Sequence, residues 1–255
     1  MSLPLYYSRL APFRETFRSG RPMLMYHHVR RAPSGARIKG LYVSPKLFAR
    51  QLEELGGAGF QTPEYGRVGA PAAAGDNSQV FLTFDDGFVD VFENGLPLLR
   101  QHGFRSIQFL VADLLGKTNE WQQRQGDVVE RLMDAGQIKE WLGAGQQIGA
   151  HTCTHPRLTQ LSPAAAREEI GASKKKLEDQ FGIVIEHFAY PYGDWNEAIA
   201  AMVQEAGYRS ACTTEPGINR MDSSFALKRF TARYPSRNLK AIWARLVGRA
   251  GVFKG

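Results

Sequence analysis

Cysteine is nearly absent from this 255-residue sequence, with Cys153 and Cys212 its only two. Two cysteines make no disulfide framework. A chain of this length buries about three quarters of its surface and needs no crosslink to hold a core. No run of 18 apolar residues occurs, so a membrane-spanning helix is not expected. The first twenty residues, MSLPLYYSRLAPFRETFRSG, break their apolar character with Arg9, Arg14 and Arg18 and lack the unbroken apolar stretch of a secretory signal. A cytoplasmic protein is the expectation. Repeats and low-complexity runs are also missing. A hydrophobic fraction of 43% with 22% charged residues excludes disordered and collagen-like chains.

Acidic residues are absent after Asp222, and that absence exposes an uneven charge. Residues 1–40 hold eight Lys/Arg against one acid, residues 41–222 sixteen against twenty-four, and residues 223–255 eight against none. The net +7 therefore describes an acidic body with basic ends. A nucleic-acid-coating protein carries its basic residues along the chain or on one motif, so no nucleic-acid partner is expected. The ends suit either solvated surface or an anionic partner.

Strand and helix signals alternate through the body. Strands are expected at 79–84, 106–111, 185–190, 208–213 and 225–231, residues 147–150 lead into His151, and the apolar MLMY run at 23–26 has strand character. Helices are expected at 91–102, 127–142, 195–206 and from Ser162-Pro163, an N-cap followed by proline at the first helical position, to about residue 180. The Gly/Ala/Pro-rich stretch 67–79 reads as a connector. This alternation implies a parallel sheet wrapped by helices, either a (β/α) barrel or an open α/β sheet, with the site at the strand C-terminal ends.

Four clusters fall at such ends. Thr83-Phe84-Asp85-Asp86-Gly87 puts two carboxylates side by side, a costly pairing that a cation relieves. Neighbouring strand side chains point oppositely, but Gly87 lets the chain turn so that both can face one cavity. His151-Thr-Cys-Thr-His155 sets two imidazoles four residues apart; with one carboxylate they make a three-ligand site that leaves room for water, suited to Zn²⁺ or a similar ion. Cys153, between them, reads as a buried thiol rather than a ligand. Phe188-Ala-Tyr-Pro-Tyr-Gly193 is a stiff turn with an exposed backbone N–H. Met25-Tyr26-His27-His28-Val29 places two histidines after an apolar strand.

Taken together, these clusters resemble the polysaccharide deacetylases of carbohydrate esterase family 4. T-F-D-D-G comes first, H-T-x-x-H next and the Pro-Tyr-Gly turn last, over roughly residues 21–232. The F-A-Y-P-Y-G form with Y-H-x-V looks like the branch that contains bacterial exopolysaccharide deacetylases. The resemblance implies a distorted (β/α)7 barrel, here a single catalytic domain over 1–255 with basic flanks at 1–20 and 235–255. It implies metal ligation by Asp86, His151 and His155, Asp85 as general base, and the Tyr192 backbone N–H as an oxyanion donor. The metal implied is Zn²⁺, with Co²⁺ or Ni²⁺ as alternates.

Two departures from the family pattern stand out. Ala189 occupies the place of an Arg that orients the base; Arg229, at a late strand, is the candidate replacement. The late motif that carries a His acid is absent, since no histidine follows His187. In the Y-H-x-V branch the N-terminal His takes that role, which points to His27, with His28 second.

The implied reaction is hydrolysis of an N-acetyl group from an N-acetylated amino sugar in a glycan or glycolipid precursor. Tyr190, Tyr192, Trp195 and Trp121 are candidates to stack on a sugar ring, with Pro191 and His28 beside them. Leu239, Ile242, Trp243, Leu246 and Ala250 recur at helical spacing with Lys240, Arg245 and Arg249 on other faces. That pattern fits either a last helix packed on the barrel or a basic amphipathic helix lying on an anionic membrane. Leu5, Leu10, Phe13 and Phe17, with Arg9, Arg14 and Arg18, make a similar stripe. Membrane contact at both ends would favour a polyprenyl-phosphate-linked amino sugar as substrate. The family pattern also admits hydrolysis of a non-sugar C–N bond, as in relatives acting on cyclic ureides, and an inactive glycan-binding domain.

Overall fold

Seven parallel strands curl into a distorted (β/α)7 barrel. The structure is a computed structural model that describes residues 3–63, 78–123, 126–220 and 224–233. The strands are β1 (Met23–Tyr26), β2 (Phe81–Phe84), β3 (Ile107–Leu110), β4 (Gln147–Ala150), β5 (His187–Ala189), β6 (Ser210–Cys212) and β7 (Phe230–Thr231). Their spatial order is β6-β5-β4-β3-β2-β1-β7.

One late segment joins the two sheet edges. Leu227 bridges to Cys212 beside β6, and three residues later β7 pairs with β1 through Leu24↔Phe230 and Met25↔Thr231. This segment brings Arg229 into the barrel between the two edges.

Strand residues are buried on both faces, as expected for a parallel sheet covered by helices. Period-two alternation divides them. Met23, Phe81, Ile107, Phe109, Ala189, Cys212 and Leu227 form a small cluster inside the barrel. Leu24, Leu82, Phe84, Leu110 and Phe188 belong to the larger core under the helices. Gly149 on β4 is required by that interior: a Cβ there would stand 2.6 Å from the Phe109 ring.

The wrapping helices are α1 (Arg14–Arg18), α2 (Pro45–Gly57), α3 (Leu96–His102), α4 (Glu120–Gln123), α5 (Ala135–Gly143), α6 (Pro163–Phe181) and α7 (Glu197–Glu205). Ser44 and Ser162 cap α2 and α6, each followed by proline at the start of the helix. α3 continues from a wider π-type turn at Val91–Gly95 and stops at Gly103, which is left-handed at φ 70°.

The expected helix over 127–142 is shorter than its apolar spacing suggests. Asp134 accepts from Gln137 N and Gln137 reaches back to the Asp134 N–H, a capping box that starts the helix at Ala135. Upstream, the Asp127 carboxylate accepts from the N–H groups of Arg37, Ile38 and Val128, which ties that stretch down as a loop.

The N-terminal apolar stripe is core. Leu10, Phe13 and Phe17 are at most 1% exposed. Phe13 packs edge-on against Phe230, and Phe17 against Phe60. Tyr7 pairs with Ala232, so the segment lies along the β7 edge. These side chains are unavailable to a membrane, which corrects the amphipathic reading of this end; Leu5 alone of that stripe is exposed, at 62%. The stripe from Leu239 to Ala250 and most of the 67–79 connector lie outside the described residues. Among the described residues no helix is long and apolar enough to cross a membrane.

Candidate active site

The site is built from loops at the C-terminal ends of β1, β2, β4 and β5, together with Arg229, which immediately precedes β7. Thr83, on β2, has its side chain inside the barrel, and alternation carries Asp85 inward after it. Asp86 then takes a left-handed backbone at φ 73°, followed by Gly87 at φ 87°. Two left-handed residues in succession turn the chain back, so both carboxylates face the same interior. The turn expected at Gly87 thus begins one residue earlier, at a non-glycine position that costs backbone strain.

Asp86, His151 and His155 offer ligand atoms that all lie within 4.8 Å of one another, and all three residues are buried. Asp86 Oδ1 is 3.4 Å from His151 Nε2 and 3.3 Å from His155 Nε2. Atoms about 2.0–2.1 Å from one tetrahedral ion stand roughly 3.3–3.4 Å apart, so the spacing suits ligation. Among the described residues Asp86 Oδ1 accepts no hydrogen bond, though it is buried. His151 Nδ1 lies 2.7 Å from the Ala189 carbonyl and must donate to it, which leaves Nε2 as the lone-pair nitrogen facing the cluster. The donor set of one carboxylate and two imidazoles therefore fits a divalent metal with open coordination positions.

Burial would raise the Asp86 pKa, but the two facing imidazoles outweigh it and hold the carboxyl well below the usual range. Against the pull of burial, Asp86 raises His151. At His155 burial wins and the pKa falls.

The loop carrying both histidines is strained and clamped. Thr152 and His155 have φ of 67° and 65°. The His155 N–H donates to Thr152 Oγ1 at 2.9 Å. Glu169, from α6, accepts from Cys153 N at 2.8 Å, Thr154 N at 3.0 Å and Thr154 Oγ1 at 2.6 Å. Trp121 stacks on the His155 ring at 4.3 Å, and Tyr192 meets it edge-on at 4.6 Å.

Asp85 faces a different partner. Arg229 donates to both its oxygens, Nη1 to Oδ1 at 2.7 Å and Nη2 to Oδ2 at 2.8 Å. The guanidinium is in turn fixed on Thr213 O and Thr83 Oγ1. Burial pushes the Asp85 pKa up, yet the Arg229 charge prevails and holds it below the ordinary carboxylate value. The guanidinium that faces Asp85 thus comes from the closing segment, while position 189 carries Ala. His27 Nε2 stands 4.0 Å from Asp85 Oδ2. Burial lowers the His27 pKa despite the pull of Asp86 and Asp85.

Three candidate substrate contacts sit elsewhere than expected. Tyr190 is fully buried and its hydroxyl donates to the Phe225 carbonyl, so its ring supports Trp195, 6.0 Å away, and has no face for a sugar. His28 is also fully buried, stacked between Tyr42 and Phe88, with Nδ1 2.7 Å from Asp90 Oδ2. Its place is inside the wall beside His27. Pro191 is buried within the turn. Tyr192, left-handed at φ 61°, remains at the site against His155, while the half-buried Trp195 lies on Tyr190 with its Nε1 donating to Glu215 at 3.3 Å.

Asp90 and Glu169 are supporting residues that sequence reasoning missed. Both bind backbone N–H groups, Asp90 that of Val29 at 2.6 Å, and such partners leave no trace in residue spacing.

The sequence pattern of the polysaccharide deacetylase family matches residues 72–211. The putative polysaccharide deacetylase YxkH of Bacillus subtilis is 28% identical over 212 residues, 82% of this chain and 70% of that protein. The peptidoglycan-N-acetylglucosamine deacetylase PgdA of Listeria monocytogenes is 27% identical over 125 residues, 49% of this chain but 23% of that longer protein. Among solved structures, the Streptococcus pyogenes deacetylase PplD in complex with acetate superposes with a TM-score of 0.71 at 25% identity, covering 88% of this chain and 96% of PplD.

Proposed function

We propose, from the premise that this chain belongs to the polysaccharide deacetylase family, whose members are metal-dependent deacetylases, that it hydrolyses the N-acetyl group of an N-acetylated amino sugar within a glycan, with Zn²⁺ as its metal. The observation that carries the reading is the pairing of a three-ligand cluster with a second, separately clamped carboxylate on the adjacent residue.

Asp86, His151 and His155 would hold the ion, which when bound would supply an activated water and polarise the amide carbonyl. Asp85, ionised because Arg229 faces it, accepts the proton of the attacking water. Its two-pronged contact with Arg229 keeps the carboxylate from swinging towards the ligand cluster, so base and ligand keep separate tasks. The Tyr192 N–H donates to the developing oxyanion, and its left-handed turn sets that amide before charge develops. His27 protonates the departing amine, which leaves poorly unless protonated. Trp121 and Tyr192, both against the His155 ring, would flank the sugar.

Burial of Leu10, Phe13 and Phe17 removes one motive for the lipid-linked alternative, so a soluble or wall-bound glycan is the preferred reading. Peptidoglycan-type N-acetylglucosamine is a natural first substrate, since the Listeria relative is named for it.

Metal-replete protein is to be assayed for acetate release from N-acetylglucosamine oligomers and from a polyprenyl-phosphate-linked N-acetylhexosamine in anionic vesicles. Release from the oligomers without vesicles, stopped by a chelator and restored by Zn²⁺, is expected. Release from the lipid-linked sugar alone would overturn the substrate reading, and chelator-resistant release would overturn the metal reading.

A further inference from the structure

Arg157 stands two residues beyond His155 and is exposed. Its guanidinium carbon lies 4.3 Å from the centroid of the Tyr192 ring. That same ring meets His155 at 4.6 Å. Two ring contacts, of 4.3 and 4.6 Å, therefore separate this cation from His155 of the ligand cluster.

The position is held from both sides. His155 precedes it in the cluster, and Leu158, the next residue, is fully buried. Thr159 then donates through N and Oγ1 to Asp194, on the turn that carries Tyr192. The loop and the turn are thus tied together, and the guanidinium rests on the ring between them. The carboxylates of the adjoining turns are engaged elsewhere: Asp194 by Thr159, and Glu215 by Trp195 Nε1 at 3.3 Å. Among the described residues Arg157 has no carboxylate within ion-pair distance.

A guanidinium lying on an aromatic ring keeps its N–H fork at the edge of its plane. That fork matches the two oxygens of a carboxylate or phosphate. The ring also shields one side of the cation from water, which strengthens its pull on an anion.

We propose that Arg157 is a specificity residue that binds an oxyanion, carboxylate or phosphate, on the sugar unit next to the one deacetylated, so that the preferred substrate is an anionic glycan. The proposal rests on the deacetylase reading of the site and adds the charge of its substrate.

The test uses full-length, metal-replete protein and three matched N-acetylhexosamine oligomers: one neutral, one with a carboxylated neighbouring unit, one with a phosphorylated neighbouring unit. The wild type is expected to favour one charged oligomer over the neutral one by about tenfold in kcat/KM at low salt, the size of one charge-assisted contact. Which charged oligomer wins identifies the source of the oxyanion. Arg157→Met, which keeps an apolar stem on the ring, is expected to erase the preference while leaving the neutral oligomer within about twofold, and Arg157→Lys to restore part of it. Equal rates on all three oligomers, or an equal loss on all three in Arg157→Met, would overturn the proposal and leave Arg157 as a prop for the turn.

Calorimetric binding of the same oligomers to Asp85→Asn protein, with and without Arg157→Met, reads the discrimination without turnover. A charged-over-neutral preference that Arg157→Met removes supports the proposal, and equal affinities overturn it. Missing acetate release from wild-type protein counts against the deacetylase reading alone.

Discussion

Asp85 and Asp86 share a peptide bond and a strand end, yet their halves of the site are built on opposite plans. The Asp86 half gathers two imidazoles on a strained loop and leaves a buried carboxylate oxygen without a hydrogen bond. The Asp85 half satisfies its carboxylate completely, both oxygens on one guanidinium that is itself fully buried. One half is poised for an ion from outside the chain, while the other is neutralised from within it. The contrast shows two ways in which a buried carboxylate keeps its charge: Asp85 by a guanidinium of the chain, Asp86 by two imidazoles whose spacing also suits a metal ion.

The largest effect lies in the Asp86 half. His151→Ala should lower acetate release by more than about a thousandfold and strip the bound metal, read by turnover and by metal content of the purified protein. Folding should survive, because that half is completed by an ion that the apo chain lacks.

The Asp85 half should behave the other way. Arg229→Met leaves a buried carboxylate unpaired and should cost about 3–5 kcal/mol in urea unfolding. Asp85→Asn combined with Arg229→Met should recover a large part of that loss. Failure to recover would show that Arg229 stabilises through Thr83 and Thr213 instead.

The same pair sets a pH dependence. The Asp85 pKa is depressed in the fold, so its contribution to stability is present above the ordinary carboxylate pKa of about 4 and is lost as pH falls through the depressed value. The acid limb of the unfolding midpoint against pH should therefore flatten in Arg229→Met. An unchanged limb would break the comparison.

Glu169→Gln keeps the shape of the clamp on the ligand loop but weakens its charged acceptors. Metal affinity should fall about 10–100-fold, measured by competition with a chromophoric chelator, with little change in unfolding. The smallest effect concerns the cysteines, one in each half. Cys153 lies on the ligand loop and Cys212 beside Arg229, and burial pushes both thiols up to about 12. Neither should be alkylated by iodoacetamide at neutral pH in folded protein, as read by mass spectrometry.

The motif-bearing half was the more legible in the sequence. TFDDG and HTCTH carry their chemistry in residue type and spacing, and the structure brings Asp86, His151 and His155 within reach of one ion. The clamped half had to be read from an absence, the Ala at 189, and Arg229 was found only because a late strand offered a guanidinium. The errors have local causes. Alternation past Ala189 sends Tyr190 to the outer core, while the left-handed turn at Tyr192 keeps that ring against His155. His27 and His28, as neighbours on an extended chain, face opposite ways, so only one reaches Asp85. The apolar spacing of 127–142 is helical throughout, but an Asp–Gln cap overrides it at residue 134. The basic N-terminal stripe was amphipathic for the commonest reason, a core to pack against.

The segment that closes the barrel also gives the enzyme an order of assembly. Asp85 and Arg229 are 144 residues apart. Synthesis runs from the N-terminus, so β1 to β6 leave the ribosome before Leu227 and Arg229 do. Until those residues dock, the sheet has two open edges and the carboxylate next to the ligand cluster has no counter-charge. The segment that joins the two sheet edges is thus also the one that gives the Asp85 carboxylate its counter-charge, and it is the last of these parts to be made.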